Sequence, residues 1–310
     1  MLKYKYVVFC LILSLAFTTA IWQIAEAKLV DVFGKLCYSL CHRSFIELTT
    51  YDKDDMPMHY YPGVGTFYDP ELIAREASRF YDTRIDPPRL KAFIKDSDWL
   101  LAHIDSLGRL PQPYDFPPAG LKQPWVSAPS QTAAMLAIAK RAGYERNAEV
   151  FLHARKLFTN LAENAAGKDS LWLSTQPGEE DLRGMLSSLI DLASYGKLVQ
   201  DSLALQMFKS GVDALAKRLP GYEKQGYLDD KYCKIGQRAE HRMLTQLLSE
   251  VSYATPDSVF KPIVLRFQAK DRVFVIKQLL TKPKLGRISG FLFAWLACFL
   301  LAYAFLRAPK

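Results

Sequence analysis

The chain has 310 residues, half of them hydrophobic, and a formal net charge of +8. That balance admits an anionic lipid, an acidic polysaccharide or a nucleic acid as partner, and the absence of any nucleic-acid-binding motif argues against the last. Five cysteines, with Cys10 and Cys298 inside apolar runs, leave an odd remainder that describes no disulfide framework.

Residues 7–22 are uncharged, with Lys3 and Lys5 before them and Ala25-Glu26-Ala27 after. Residues 1–27 therefore read as a signal peptide or an uncleaved signal anchor. Either sends the following chain across a membrane, so the globular part is expected on the non-cytoplasmic side. Residues 28–66 read as a linker or exposed lip, because 43–66 gathers Asp52, Asp54, Asp55, Pro57, Pro62, Gly63 and Gly65. Cys37, Cys41 and His42 lie within one helical turn, but no second Cys/His pair accompanies them, so no metal is expected.

From Tyr68 onward the pattern is helical hairpins. Asp69-Pro70-Glu71 opens a helix reaching Tyr81, and Pro87-Pro88 opens another. Residues 108–130 form a long loop rich in proline and aromatics. Gln131 to Ala142 is nearly all apolar and predicts a buried helix, with 145–166 as its partner. Further helices fit 180–195, 200–219, 238–253 and 257–269, and no strand is expected. The fold class is all-α, an incomplete α/α toroid over 67–270 with a cleft lined by inner helix ends and loops; a bundle or a solenoid is the alternative.

Lys270 and, within 271–287, Arg272, Lys277, Lys282, Lys284 and Arg287 crowd the approach to 288–306, which carry no charge. The first stretch reads as a basic juxtamembrane segment and the second as a transmembrane helix. The basic cluster opposes the orientation set by Lys3 and Lys5, and the first segment is taken to dominate.

Several stretches resemble one family. Gly65-Thr66-Phe67-Tyr68-Asp69-Pro70-Glu71-Leu72-Ile73-Ala74 is followed by Ser97-Asp98-Trp99-Leu100-Leu101 and by Gln123-Pro124-Trp125-Val126-Ser127-Ala128 with Gln131. Arg183-Gly184-Met185-Leu186-Ser187-Ser188-Leu189-Ile190 comes next, then His241-Arg242-Met243 running on to Thr255-Pro256-Asp257-Ser258-Val259-Phe260. In this order, across about 200 residues, they are similar to the C-terminal domain of D-glucuronyl C5-epimerases in its short bacterial-type layout. The resemblance implies inversion at C5 of glucuronic acid within a polysaccharide, with no cofactor. Such chemistry needs a base and an acid on opposite ring faces and donors that neutralise the sugar carboxylate.

Carried onto this chain, the resemblance makes Tyr68, Glu240, His241, Glu179 and Glu180 the catalytic candidates. Trp125, Ser127, Gln131, Arg183, Tyr227 and Arg242 become substrate contacts, with Arg183 or Arg242 holding the carboxylate and Trp125 offering a sugar-stacking face. The chain departs from the family at several of these positions. Glu240 stands where a tyrosine is expected, Arg183 replaces an asparagine, and Trp172-Leu173-Ser174-Thr175-Gln176-Pro177 lacks the expected glutamates, with Glu179 and Glu180 following two positions later. An inactive glycan-binding or assembly subunit, or a lyase or glycosidase on a related toroid, therefore stands beside the epimerase reading. Plain structural roles compete at every position: packing for Tyr68, first-turn acids for Glu179 and Glu180, and structural or solvated roles for His42, His59, His103 and His153.

Overall fold

The structure is a computed structural model, and it describes residues 2–44, 47–83, 86–165, 171–224, 227–228, 237–255, 259–270 and 285–307. Two Asp-Pro steps start the first hairpin. Asp69 accepts from the Glu71 N–H and Asp86 from the Arg89 N–H, and the prolines behind them supply helical φ at a position whose N–H has no helical partner. The results are α2 (Pro70–Asp82) and α3 (Pro87–His103). They follow a long first helix, α1 (Leu2–Cys41). Next come α4 (Ala128–Glu145), α5 (Ala148–Ala165), α6 (Leu182–Val199) and α7 (Ser202–Arg218), with Asp181 and Asp201 capping the last two. The remaining helices are α8 (Gln237–Ala254), α9 (Phe260–Lys270) and α10 (Leu285–Arg307).

Packing orders these helices in two layers. α2, α4, α6 and α8 form a row, each packed on the next, and α3, α5, α7 and α9 each back the helix before them. Inner helices are therefore covered on most sides: α4 is buried from Pro129 through Ala139, and α6 almost throughout Leu182–Gly196. The chain is mostly helical, as its periodicity predicts.

The expectation of no strands needs correction. Residues 48–67, read as an irregular lip, form an antiparallel meander of β1 (Leu48–Tyr51), β2 (Pro57–Tyr61) and β3 (Gly65–Phe67), with His59 opposite both Thr49 and Phe67. Most of the residues that suggested a linker form its turns, while Pro57 opens β2 and Gly65 opens β3. The Asp52 carboxylate accepts from the N–H groups of Asp54 and Met56 at 2.9 and 2.8 Å. Gly63 and Gly65 take φ values of +85° and +108°, open to residues without a Cβ. Two-stranded ribbons pair β4 (Pro111–Gln112) with β5 (Trp125–Val126), and β6 (Glu223–Lys224) with β7 (Tyr227–Leu228).

The terminal runs also differ from expectation. Among the described residues no helix is long and apolar enough to cross a membrane. The described parts of the two runs pack on one another as α1 and α10, with Trp295 Nε1 donating to Ser14 Oγ at 3.0 Å. α1 also continues through 28–41, where a linker was expected. The basic stretch at 271–284 and Cys233 lie outside the described residues.

One buried group in this scaffold has a measurable consequence. Asp96 on α3 is 1% exposed, and neither carboxylate oxygen has a hydrogen-bond partner among the described residues. Lys95 lies 3.9 Å away, but its ammonium donates to the carbonyls of Asp54 and Asp55. Burial, opposed by Lys95 and aided by Glu76, pushes the Asp96 carboxyl up to about 7. Between the unfolded value near 4 and 7 the folded chain alone holds this proton, so its contribution to stability falls as pH rises through that window. Asp96→Asn is expected to stabilise the protein by about 2 kcal/mol at pH 7.5 and to leave it unchanged near pH 4. Urea unfolding at both pH values checks this; equal stabilities at pH 7.5 would contradict it.

Candidate functional site

Seven ionisable side chains converge where the meander meets the inner helices. Glu47 precedes β1, His59 sits on β2, and Asp69, Glu71 and Arg75 come from the start of α2. α6 supplies Arg183 in its first turn and Asp191 farther along. His59 lies between two carboxylates, with Nδ1 3.0 Å from Asp69 and Nε2 3.5 Å from Glu47. Arg75 donates to Glu71 at 2.8 Å and reaches both Asp191 oxygens at 3.3 and 3.5 Å. Asp191 also accepts from Thr132 of α4 at 3.0 Å, so one carboxylate links three inner-row helices. Arg183 stands 3.9 Å from Glu47.

The group is open to water. The side chains of Arg183, Glu47 and Arg75 are 49, 40 and 37% exposed, whereas Asp191 is buried. The cluster is thus a partly solvent-facing charged surface, here called the cleft, rather than a sealed core network.

Its electrostatics follow from these neighbours. Burial opposes charge on His59, but hydrogen bonds to Asp69 and Glu47 outweigh it and raise the imidazole to about 9. At neutral pH His59 is an imidazolium. Burial also opposes the Glu47 and Glu71 carboxylates, yet both are held below the usual range, Glu47 by His59 and Arg183 and Glu71 by Arg75 and Arg183. Asp191 goes the other way, because burial exceeds what Arg75 and Thr132 return. Four carboxylates face three cations, leaving one negative charge in excess when all are ionised.

Aromatic side chains flank this surface. Phe67 stacks on Tyr114 with centroids 3.7 Å apart, and His59 lies 5.5 Å from Phe67. Burial raises the Tyr114 hydroxyl far above its ordinary value, so it stays neutral. Behind it, Trp125 meets the Tyr114 ring edge-on at 5.6 Å and donates from Nε1 to the Tyr114 carbonyl at 3.0 Å.

The position of Arg183 depends on the cap beside it. Asp181 accepts from the N–H groups of Gly184 and Thr175 at 2.5 and 2.6 Å, and from the Thr175 hydroxyl at 2.9 Å. A Cβ on Gly184 would come within 2.6 Å of both the Asp181 carboxylate and the Thr175 backbone nitrogen. Glycine is what lets this turn close one residue after Arg183.

Of the residues singled out from sequence, Arg183 is brought into the cleft. Tyr68 instead donates to Asp52 at 2.7 Å and pins the β1–β2 turn. Trp125 is buried, with its indole committed to Tyr114. Ser127 is buried at the start of α4, and Gln131 accepts from the Leu110 N–H at 2.7 Å. The Glu179 N–H closes a turn on the Gln176 carbonyl, while Glu180 ion-pairs with Arg218, which lies over the Trp172 ring.

His241 is fully buried: its Nδ1 accepts from the Leu228 N–H at 3.0 Å, and Nε2 is 3.0 Å from the Phe267 carbonyl. This fixes a neutral tautomer protonated on Nε2, tying β7 and α9 to α8. Arg242 follows on α8 and is half-buried. The side chains of Glu240 and Tyr227 lie outside the described residues. A separate open groove of about 410 Å³ beside α5, lined by Arg155, Lys156 and Glu163 among others, includes none of the cleft residues.

His59, Glu47, Asp69, Glu71, Arg75 and Asp191 were not singled out as site residues. The i, i+4 pair Glu71/Arg75, and an aspartate at 191 within the otherwise apolar face of α6, were the signals available.

No protein-family model matches the chain, and no curated protein matches it. Among solved structures, the chain is similar to a selenomethionine derivative of the GH76 alpha-mannanase BT2949 of Bacteroides thetaiotaomicron. The TM-score is 0.49 at 10% sequence identity, over 95% of this chain and 86% of that one.

Proposed function

We propose that the cleft at the junction of the meander with α2 and α6 is a carbohydrate site, and that the protein binds and processes a glycan there. The observation that carries this is the pairing of an ionised, solvent-facing Glu47 with the His59 imidazolium in an open, aromatic-flanked cleft. Sugar chemistry of either kind needs a proton acceptor and a proton donor within reach of one ring, and these side chains supply one of each. The resemblance to a polysaccharide-modifying family supports the class of substrate. One excess negative charge in the cleft favours a neutral chain over a polyanion, and this makes glycoside hydrolysis the leading reaction.

C5 epimerisation of a glucuronic acid unit is the second reading. It is favoured by Arg183, a half-exposed guanidinium at the cleft in a position to meet a sugar carboxylate. The two readings separate in one assay. The protein is incubated in heavy water with neutral polysaccharides and with uronic-acid polymers, and new reducing ends and C5 deuteration are measured. Reducing ends from a neutral polymer, with a rate that falls about 100-fold or more in Glu47→Gln, support hydrolysis. Deuteration without cleavage, lost in Arg183→Ala, supports epimerisation. Saturable binding with no turnover leaves a glycan-binding subunit, and the absence of both binding and turnover would overturn the carbohydrate reading.

A further inference from the structure

The pair formed by α1 and α10 has its polarity inverted. In a helix pair exposed to water, apolar side chains fill the seam and polar ones face out. Here Cys10, Ser14 and Thr18 are buried, while Val8, Phe9, Ile12, Leu13, Leu15 and Phe17 are exposed. On α10, Phe291 is buried and Leu292, Phe293, Leu296, Leu300 and Leu301 are exposed. The Ser14 and Thr19 hydroxyls are bonded within the pair. Ser14 Oγ donates to the Leu11 carbonyl at 3.0 Å and accepts from Trp295, and Thr19 Oγ1 donates to the Leu15 carbonyl at 2.7 Å. No charged residue occurs in 7–20 or in 288–306.

We propose that the α1–α10 pair is seated in the hydrocarbon of a lipid bilayer and holds the helical domain at a membrane surface. The angular spread of the exposed residues selects lipid over a second copy of the chain. At about 100° per residue, the exposed positions 8, 9, 12, 13, 15, 16, 17 and 20 sweep an arc of about 200° around α1, interrupted by the buried Thr19, and the exposed positions of α10 sweep about 180°. A partner helix covers a stripe about half that wide. Only a medium that surrounds the pair, and that offers no hydrogen bonds, covers both arcs. The exposed apolar length of α1 rises about 20 Å, against about 30 Å for a full hydrocarbon core; the proposal is contact with hydrocarbon, and a complete crossing is no part of it.

Flotation of the full chain with phosphatidylcholine vesicles tests this. The native chain is expected to float with uncharged vesicles and to remain bound in about 0.5 M salt, where an attachment held by surface charge is largely screened. The Ile12→Asn/Leu13→Asn/Leu296→Asn variant is expected to lose at least tenfold in bound fraction. Ser14→Ala leaves the apolar exterior intact and is expected to float like the native chain, which separates lost lipid contact from a misfolded pair. Flotation only with anionic vesicles, reversed by salt, would assign the attachment to basic residues and overturn the proposal. So would a chain that stays with the aqueous phase as a discrete oligomer dispersed by the triple variant.

Discussion

Replacing Arg75 with methionine is expected to cost the fold about 3 kcal/mol, measured by urea unfolding at pH 7. The guanidinium is the common partner of Glu71 and Asp191, and Asp191 is buried. Methionine fills much of the same space but removes the cation that bridges the two carboxylates; Glu71 still has Arg183 nearby, whereas the buried Asp191 keeps only its bond from Thr132 among the described residues. The loss therefore comes from the stranded charge rather than from lost packing. Adding Asp191→Asn to the same chain removes that charge and is expected to return more than half of the deficit. A single variant within about 1 kcal/mol of the native protein would show that the cleft relaxes around the missing cation.

The second large effect is on pH dependence. The His59 ring is expected to titrate with a midpoint near 9, followed through its carbon-bound protons by NMR. The folded chain keeps the proton between the ordinary histidine value near 6.5 and that midpoint, so the His59 contribution is complete below 6.5 and is lost as pH rises to 9. The amount is on the order of 3–4 kcal/mol, at roughly 1.4 kcal/mol for each tenfold change in proton affinity. Glu47 and Asp69 are the other side of the same interaction and add nothing further to that sum. Asp69→Asn and Glu47→Gln are each expected to lower the midpoint, Asp69→Asn by more, because its bond is shorter, at 3.0 Å against 3.5 Å. A midpoint below 7 in the native chain would remove the imidazolium from the cleft and the acid from the proposed chemistry.

The helices were legible because local chemistry and tertiary packing agree in them. Asp-Pro steps, capping aspartates at 181 and 201, and the apolar run from Gln131 each specify an element before any contact is made. The meander was not legible, since its strands are short and its turn residues Asp52, Asp54, Asp55 and Gly63, with Gly65 opening β3, dominate the local composition. The cleft follows the same division. Arg183 was readable next to a glycine that packing demands, whereas His59 belongs to a strand not anticipated. Glu71 reads as a first-turn acid and Arg75 as its i+4 partner, which a solvated helix face would show equally well. What gives them a role is Asp191, far away in the chain, and no local pattern announces that meeting.

That distance bears on the order in which the protein assembles. Arg75 and Asp191 are 116 residues apart in sequence, while α2 meets α3, and α4 meets α5, across short connections. Closing a long loop costs more chain entropy than forming a hairpin, and it is rewarded only when the distant partner has docked. A chain whose first two hairpins have formed during synthesis thus carries the His59, Asp69 and Glu71 part of the cleft with neither of its α6 groups. Completion of the charged cluster is a late event, after α6 has left the ribosome and found α2. A nascent chain halted before residue 182 lacks Arg183 and Asp191 and is expected to leave Arg75 without its α6 partner.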